Sequence, residues 1–530
     1  MAQVAAHGAR QPLLQLLRGP SGKLWEVCIG LEVHAQVLSR SKLMSASAAA
    51  TMASARPNRN VSFFDAALPG TLPVINRECV HQAIRLGVAV DATVHPRSLF
   101  ERKHYFYCDL PLGYQLTQQR APVASGGALH FELPTSAVDV ISRSVRITRI
   151  QIEQDSGKSN HDLEEDSTVV DLNRAGTALL EIVMEPDLRS PLEAGQVLRQ
   201  LQHLLRHLDV CDGNMEEGSM RCDLNVSVRP TNLGEEADAE TLHRSLTSSS
   251  AAPFGERVEV KNMNSIRNMM RAAEYEARRQ IALIEDEGGE VHRETRSFDA
   301  VTGETKRMRS KEGAKDYRFF PEPDLPPLVF SKKLIQDISD SLPELPDALK
   351  DRLCAQYDLT PYESSVLVNE SGAAHYFETV AKENSRPPKM VVNWVLNDLF
   401  GHLKATNGDI ASSPVEATEL GALIDLIQHG TISGKIAKDV LELMFYENEA
   451  KKTPLEIVEE KGWKQIQDPD EIRALCRAVL DDPKNLEAYW KGKTQLFGFF
   501  IGQVMKSCGG RVHPELANSI MQEILEEHKP

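Results

Sequence analysis

The 530-residue chain lacks the features that mark disulfide-rich, zinc-knuckle and membrane-spanning proteins. Its eight cysteines are scattered and form no C-x-x-C pair, which argues against a zinc knuckle and against a redox dithiol. No apolar run is long enough to span a bilayer. Scattered cysteines in a chain of this size indicate reduced thiols in a reducing compartment. The composition, 41% hydrophobic and 26% charged, is that of a globular protein with several domains.

A surplus of positive charge is also missing. The formal net charge is −16, so the chain as a whole lacks the basic footprint of a general nucleic-acid binder, although a local basic patch is compatible with this value. Residues 1–24 differ, because they contain Arg10, Arg18 and Lys23 and no acidic residue. Two interpretations of this composition stay open, a mitochondrial presequence that is poorer in serine than most and a disordered tail.

The common motifs for phosphate binding and acyl transfer are absent as well. The segment 430–435 has the wrong spacing for a P-loop and is followed by isoleucine. Neither G-x-S-x-G, H-E-x-x-H nor the Gly-Ser-Ser-Gly-Gly run of amidases occurs. The chain therefore offers no obvious nucleophile for acyl transfer.

The most informative stretch that is present is 27–34, with the sequence VCIGLEVH. Its strict alternation of apolar residues predicts a strand with one buried face. Glu32 and His34 share the other face, because they lie two residues apart. Taken alone, this strand is better explained by a solvated face with an incidental histidine. Glu181 reverses that interpretation, because a carboxylate inside the apolar run 179–183 is costly unless it is paired or binds a metal.

Further predicted strands at 145–155, 221–228 and 258–262 carry acidic and basic side chains on one face. The acidic groups and the imidazole of the whole set are Glu32, His34, Glu153, Asp155, Glu181, Glu217, Asp223 and Glu259, and the interleaved bases are Lys103, Arg149, Lys158, Arg221 and Lys261. Carboxylates with one imidazole suit Mg²⁺ or Mn²⁺, and neighbouring bases suit phosphates. Such a site supports phosphoryl transfer by positioning and charge neutralisation, without a P-loop.

The segment 100–107, FERKHYFY, interleaves bases with aromatic residues. Such a segment can grip a phosphate and stack a ring. A surface strand with basic side chains lying along it is the alternative.

The pattern along the chain predicts an α+β protein. Its β-rich part ends at the proline-rich segment 321–327, and residues 231–254 form a low-complexity insertion in a hairpin connection that is predicted to be disordered. Helical periodicity predicts helices in both parts. The predicted helices span 77–90, 190–208, 265–287, 331–340, 346–356, 361–368, 390–403, 414–429, 432–447, 468–481, 498–505 and 514–528.

Six motifs also match a known family. They are G-L-E-V-H at 30–34, R-K-H-Y-F-Y at 102–107, L-L-E-I-V at 179–183, M-E-E-G-S-M-R-C-D at 215–223, K-D-Y-R-F-F-P at 315–321 and G-F-F-I-G-Q-V-M-K at 498–506. On these motifs the chain closely resembles the B-subunit family of aspartyl/glutamyl-tRNA amidotransferases, from about Trp25 to the C-terminal helix. The resemblance makes residues 1–24 an extension, which favours the presequence and a location in the mitochondrial matrix.

The resemblance implies an activity within a heterotrimer. The B-subunit of that family binds Glu-tRNA(Gln) and uses ATP and Mg²⁺ to phosphorylate the side chain of the attached glutamate. Ammonia, released from glutamine by the amidase A-subunit, then displaces the phosphate and gives Gln-tRNA(Gln), while the small C-subunit wraps the other two. The implied architecture is an antiparallel cradle domain related to glutamine synthetase (25–320), an all-α helical domain (321–410) and a YqeY-like α-helical tail that contacts tRNA (411–530).

The resemblance also implies roles for individual residues. Those that match the family's metal and phosphorylation site are Glu32, His34, Glu153 and Glu181. Those placed where the ammonia path opens are Lys103 and Tyr105, and those carried by their motif as further catalytic candidates are Glu217, Arg221 and Asp223. The bases expected to bind the nucleotide phosphates are Arg149, Lys158 and Lys261.

Three positions or segments depart from the family pattern. Gln154 stands where many relatives have a second acid, and its side chain is expected to point away from that of Glu153. Cys108 and Leu112 interrupt the usual P-D-x-P-K-[GA]-Y, so no role is assigned to a lysine there. The insertion 231–254 is the third departure.

Two other hypotheses stay open. The chain could be a tRNA-binding scaffold whose carboxylates are structural, or a free-standing glutamine-synthetase-like ligase that acts on a small acid. The long helical tail with its local lysines disfavours the ligase, because a small substrate does not need it.

Overall fold

The structure is a computed structural model, and it divides into two compact units, Met1–Leu345 and Pro346–Pro530. It describes residues 16–49, 56–134, 140–160, 167–231, 253–310, 316–382, 385–447, 452–466, 468–480, 486, 489–490, 493–509 and 511–527. Residues 1–15 of the predicted presequence and 232–252 of the predicted insertion therefore lie outside the described residues.

The first unit is built on an eleven-stranded sheet with the order β16-β15-β14-β13-β2-β12-β9-β7-β3, in which β1 also pairs with β2 and β8 with β9. Neighbouring strands are antiparallel except β14 and β15, which are parallel. The strands of this unit are β1 Leu17–Arg18, β2 Leu24–Gln36, β3 Thr93–Val94, β4 Arg97–Ser98, β5 Glu101–His104, β6 Tyr114–Thr117, β7 Ala124–Ser125, β8 Ala128–Pro134, β9 Val140–Gln154, β10 Lys158–Asn160, β11 Val169–Asp171, β12 Ala178–Met184, β13 Met220–Thr231, β14 Val258–Met263, β15 Glu294–Asp299, β16 Glu304–Ser310, β17 Phe320–Pro321 and β18 Leu328–Val329.

The central strand β2 divides its side chains between two environments. Val27, Ile29, Leu31 and Val33 are buried and belong to one core with apolar side chains of the helices. The described residues of this unit include the helices α1 Arg77–Ala89, α2 Pro191–His207, α3 Ile266–Glu285 and α4 Lys332–Asp340. The predicted strand with one apolar face is confirmed, and the polar residues of β2 are left on the opposite face.

A small three-stranded sheet, β17-β5-β6, packs against the end of β9. Gln115, in β6, and Gln118, just after it, both bind the backbone of β9. Gln115 Nε2 donates to the carbonyl oxygen of Gln154 at 2.7 Å, and Ile152 N donates to Gln118 Oε1 at 3.0 Å. These bonds fix β5, and the basic motif that it contains, beside the polar face of the large sheet.

The first unit extends beyond the predicted boundary after residue 320. β17 pairs with β5, β18 pairs with β4, and α4 packs against α1, so the proline-rich segment is tied to this unit at both ends. Arg102 strengthens the tie by donating to both side-chain oxygens of Glu322, at 2.7 and 2.8 Å. The structure consequently ends this unit at Leu345 rather than at a linker near 321.

The second unit is helical in its described residues. Its helices are α5 Pro346–Tyr357, α6 Pro361–Asn369, α7 Ala373–Ala381, α8 Pro388–Asn393, α9 Phe400–Ala405, α10 Ala417–Gln428, α11 Gly434–Tyr446, α12 Pro454–Lys461, α13 Pro469–Val479, α14 Leu496–Ser507 and α15 Pro514–Glu527, with the π-helical turn Trp394–Leu399 between α8 and α9. Within the described ranges, none of the helices combines the length and the apolar character needed to cross a membrane.

This helical unit contains two apolar cores. The first runs from Leu353 to Val458 and the second from Ile472 to Leu525. The predicted boundary between residues 410 and 411 falls inside the first core, because Val415 is buried there and its carbonyl oxygen accepts a hydrogen bond from Tyr376 Oη at 3.0 Å. The contacts thus group 411–458 with the helices that precede them.

Candidate cation and phosphate site

Four adjacent strands place polar side chains in one row across the sheet. His34 on β2 lies opposite Arg221 on β13 and opposite Glu181 on β12, and Glu181 lies opposite Gln151 on β9. Residues directly opposite each other in an antiparallel pair share a face. The row therefore brings together residues that are far apart in the chain, because His34 and Arg221 are separated by more than 180 positions.

Three predicted metal ligands meet at this row, two from the row itself and Glu32 from the neighbouring position on the same face of β2. One ligand atom from each of Glu32, His34 and Glu181 lies within 4.8 Å of the other two. His34 Nε2 is 3.9 Å from Glu32 Oε1 and 3.9 Å from Glu181 Oε2. Two carboxylates and one imidazole at this separation are a suitable donor set for Mg²⁺ or Mn²⁺. The residues present therefore fit a divalent cation.

The fourth predicted ligand, Glu153, lies beside this cluster and is held by a lysine. Lys103 Nζ, on β5, is 3.3 Å from Glu153 Oε2. Burial opposes ionisation of Glu153, but Lys103 and His34 together hold its pKa below the usual range. The structure thus places Glu153 in an ion pair, next to the three groups that converge.

The pKa of Glu181 is shifted in the opposite direction to that of Glu153. Its burial, together with the nearby Glu153 and Glu32, raises the pKa of Glu181 well above the ordinary value of a glutamate. A bound divalent cation favours the ionised form of its ligands and displaces their protons. The two neighbouring carboxylates are consequently distinct: Glu153 is paired with a lysine that lowers its pKa, and Glu181 has a raised pKa that a bound cation would lower.

Tyr105, which the resemblance assigns to the same opening as Lys103, lies just after β5. Its ring centroid is 5.7 Å from that of Tyr107 and 6.3 Å from that of Tyr317. Burial, with a smaller effect from Glu153, raises the pKa of Tyr105. The phenol therefore stays protonated at neutral pH and is available as a hydrogen-bond donor beside Glu153.

Six further predicted polar residues lie around the three converging ligands. Arg149 Nη2 is 3.8 Å from Glu181 Oε1, and Arg221 Nη2 donates to Asp155 Oδ2 at 2.7 Å. Lys261, the base on β14, lies 2.8 Å from Asp223 Oδ2 and 3.0 Å from Glu259 Oε1. The face thus presents bases on both sides of the three converging ligands, which suits an anionic ligand such as a polyphosphate.

Two further predicted site residues, Lys158 and Glu217, lie away from the polar face of the large sheet. Lys158 is exposed on β10, which pairs with β11 in a separate two-stranded sheet. Glu217 is exposed in the turn before β13, where Gly218 adopts a φ of 81°. The prediction of one shared face therefore fails for these two residues, because each belongs to a segment that turns before it reaches the sheet.

Comparisons with known proteins identify the family. The GatB/GatE catalytic domain matches residues 27–336, and the GatB domain matches residues 375–525. The chain is 85% identical, over the full length of both proteins, to the mitochondrial glutamyl-tRNA(Gln) amidotransferase B-subunit of Phytophthora infestans. The chain belongs to the GatB family. The aspartyl/glutamyl-tRNA(Asn/Gln) amidotransferase B-subunit of Granulibacter bethesdensis is 49% identical over 96% of this chain and 99% of its own length.

These matches bear on several predictions. The GatB family and its mitochondrial form, predicted from the motifs and from residues 1–24, are confirmed, as is the α+β fold class. The GatB catalytic domain, residues 27–336, includes every residue of the row and of the small sheet's basic motif. The candidate site therefore lies wholly within the region that defines catalysis in this family.

Sequence reasoning missed several contacts in this GatB site. The side chains concerned are Gln151, Thr117, Arg174 and Tyr317, which contact Glu181, Gln151, Asp155 and Lys103 respectively. Gln151 was detectable, because it shares the period-two face of β9 with Arg149 and Glu153. The other three come from segments whose packing against β9 and β5 has no local signal in the sequence.

Proposed function

We propose that the chain is the catalytic B-subunit of a mitochondrial glutamyl-tRNA(Gln) amidotransferase. In this proposal it binds Glu-tRNA(Gln), transfers the γ-phosphoryl group of ATP to the glutamyl side chain, and lets ammonia displace the phosphate to give Gln-tRNA(Gln). The observation that carries the proposal is the cluster of Glu32, His34 and Glu181 beside the Lys103–Glu153 pair. The name of the Phytophthora infestans relative supports the substrate and the mitochondrial location.

The residues of this site have separate roles in the proposal. Glu32, His34 and Glu181 hold Mg²⁺, which when bound neutralises phosphate charge. Arg149 and Lys261, on either side, orient the nucleotide phosphates. A glutamyl carboxylate oxygen then forms the new bond to the γ-phosphorus while the bond to ADP breaks.

Amide formation follows at the activated carbonyl. The nitrogen of ammonia bonds to that carbon, and inorganic phosphate leaves. Glu153, kept ionised by Lys103, takes up the proton that the incoming nitrogen loses. Tyr105 donates its hydroxyl hydrogen to the oxygen on which negative charge develops. Arg221 and Asp223 hold this arrangement through their ion pairs with Asp155 and Lys261.

The same proposal assigns partners and domains. The amidase A-subunit supplies ammonia, and the small C-subunit completes the heterotrimer. The large sheet is the glutamine-synthetase-like cradle, and the helices after Leu345, including a YqeY-like tail, hold the tRNA. The GatB domain that matches residues 375–525 supports this division.

Label transfer tests the proposal directly. The assembled enzyme, given ATP labelled at the γ-phosphorus and Glu-tRNA(Gln) but no nitrogen donor, is expected to place label on the tRNA-bound glutamate. Ammonium chloride is then expected to release that label as inorganic phosphate with stoichiometric formation of Gln-tRNA(Gln). Labelled inorganic phosphate without any labelled glutamyl-tRNA in a rapid quench contradicts the acyl-phosphate route.

The cleaved presequence is proposed to end before Leu17. Leu17 is buried and pairs with Trp25, and Glu285 accepts hydrogen bonds from Ser21 N at 2.7 Å and from Trp25 Nε1 at 2.6 Å. Cleavage after residue 24 removes β1, its pairing with Trp25 and the hydrogen bond from Ser21 to Glu285. We therefore expect mass spectrometry of the organellar protein to find a mature N-terminus at or before Leu17. A mature chain that begins at Trp25 contradicts this expectation.

A further inference from the structure

Gln151 lies at the centre of a buried hydrogen-bond chain that the assigned chemistry does not use. Its side chain is almost fully buried on β9. Arg149 Nε donates to Gln151 Oε1 at 2.7 Å. Gln151 Nε2 donates to Thr117 Oγ1 at 2.9 Å and to Glu181 Oε2 at 2.8 Å. Every polar hydrogen and the carbonyl oxygen of this amide therefore have a partner.

The orientation of this amide is determined by its neighbours. A guanidinium has donors only, so the oxygen of Gln151 must face Arg149. Both hydrogens of Nε2 then point to Thr117 and Glu181. The Thr117 hydroxyl accepts the second hydrogen of Gln151 Nε2 and so holds the amide in this orientation. The chain thus runs in one direction, from Arg149 through Gln151, and it ends on Thr117 Oγ1 and on the carboxylate of Glu181.

We propose that Gln151, held in place by Thr117, is a positioning residue that fixes Glu181 as a hydrogen-bond acceptor and so holds Glu181 in the orientation that binds the divalent cation. The inference rests on the proposed function, because that function assigns the cation to Glu32, His34 and Glu181. Gln151 occupies one lone pair of Glu181 Oε2 and leaves its remaining lone pairs for the cation.

Mn²⁺ binding tests the inference without reference to turnover. Titration of the full-length chain in the assembled enzyme, followed by electron paramagnetic resonance, gives the dissociation constant for Mn²⁺. For Gln151→Leu we expect this constant to rise about 10- to 100-fold, as for other partners of metal ligands. The matched control is Gln82→Leu, a buried amide on α1 that donates to the Asp209 carbonyl oxygen at 3.0 Å. We expect this control to bind Mn²⁺ as the parent protein does.

Thr117 provides a second pair of variants that keeps the test valid if Gln151→Leu does not fold. Thr117→Val removes the hydroxyl and retains the shape, and it is expected to weaken Mn²⁺ binding. Thr117→Ser restores the hydroxyl and is expected to restore the affinity. Equal Mn²⁺ affinity for Thr117→Val and Thr117→Ser overturns the inference, because the hydroxyl then has no effect.

A further variant separates failure of the inference from failure of the proposed function. Glu181→Gln removes a ligand itself. If Glu181→Gln weakens Mn²⁺ binding while Gln151→Leu binds as the parent does, the positioning role alone is refuted. If Glu181→Gln also binds Mn²⁺ as the parent does, the cation assignment and the inference built on it both fail.

Discussion

Glu181→Gln is expected to lower the rate of Gln-tRNA(Gln) formation by about a thousandfold or more. The substitution removes one negative ligand from the cluster with Glu32 and His34. Charge stabilisation by a bound cation contributes several kcal/mol to the transition state, and each 1.36 kcal/mol corresponds to about a tenfold change in rate. Ammonium chloride as nitrogen donor, in single-turnover experiments with the assembled enzyme, isolates this step from glutamine hydrolysis.

The fold is expected to tolerate this change. A glutamine at 181 keeps an oxygen that can accept the hydrogen bond from Gln151, and it removes a buried carboxylate whose pKa is raised. The matched control is Glu185→Gln, because Glu185 lies just beyond the end of β12 and accepts a bond from Thr148 Oγ1 at 2.8 Å. A Glu181→Gln enzyme within tenfold of the parent rate means that the cluster does not hold a catalytic cation.

Lys103→Met is expected to produce the largest loss of stability. The change leaves Glu153, which is only 2% exposed, without its cation in the interior. Breaking a buried ion pair on one side costs about 3–5 kcal/mol of unfolding free energy. Chemical denaturation of the full chain at neutral pH measures this loss. The exposed pair Arg278–Glu274 provides the control, because Arg278→Met is expected to cost less than about 1 kcal/mol.

The loss of stability also has a predicted pH dependence. The pKa of Glu153 is lowered in the parent, so the pair contributes stability above the unfolded-state pKa of glutamate and loses it as the pH falls through the lower folded value. In Lys103→Met the buried carboxyl instead takes up a proton, so the variant gains stability relative to the parent on acidification. The difference between the two proteins is therefore expected to shrink as the pH falls.

A double variant distinguishes structure from chemistry at this pair. Lys103→Met combined with Glu153→Gln leaves two neutral side chains of similar size, and we expect it to recover most of the lost stability. Activity is not expected to return, because Glu153 is the proposed proton acceptor. Full activity in the double variant excludes that role, and a Lys103→Met protein as stable as the parent excludes the ion pair.

The parts of the site that the sequence predicts are those encoded within single strands. Alternation in β2 identifies the face of Glu32 and His34, and the isolated charge in β12 identifies Glu181. The register between strands cannot be obtained in this way, because period-two alternation specifies a face and not a partner. The row that joins His34 to Glu181 and Gln151 therefore appears only in the folded sheet.

The placements that differ from the expected ones share a different cause. Lys158 follows the predicted strand 145–155 and Glu217 belongs to the motif 215–223, but a turn separates each residue from the sheet. The segment 321–327 has the composition of a linker, yet Glu322 is tied to Arg102 from a strand more than 200 positions earlier. Local composition indicates how flexible a segment is on its own. Contacts with a residue far away in the chain can nevertheless hold the same segment in place.

The position of β2 in the sheet has a consequence for biogenesis. β2 is among the first described segments of the chain, but its two main neighbours are β12 and β13, which end at Met184 and Thr231. Both long edges of a largely apolar strand stay unpaired until those segments are available. Pairings of such large sequence separation form slowly, and unpaired strand edges associate with other chains. Until β12 and β13 have paired with it, β2 is therefore the strand of this sheet most exposed to association with other chains.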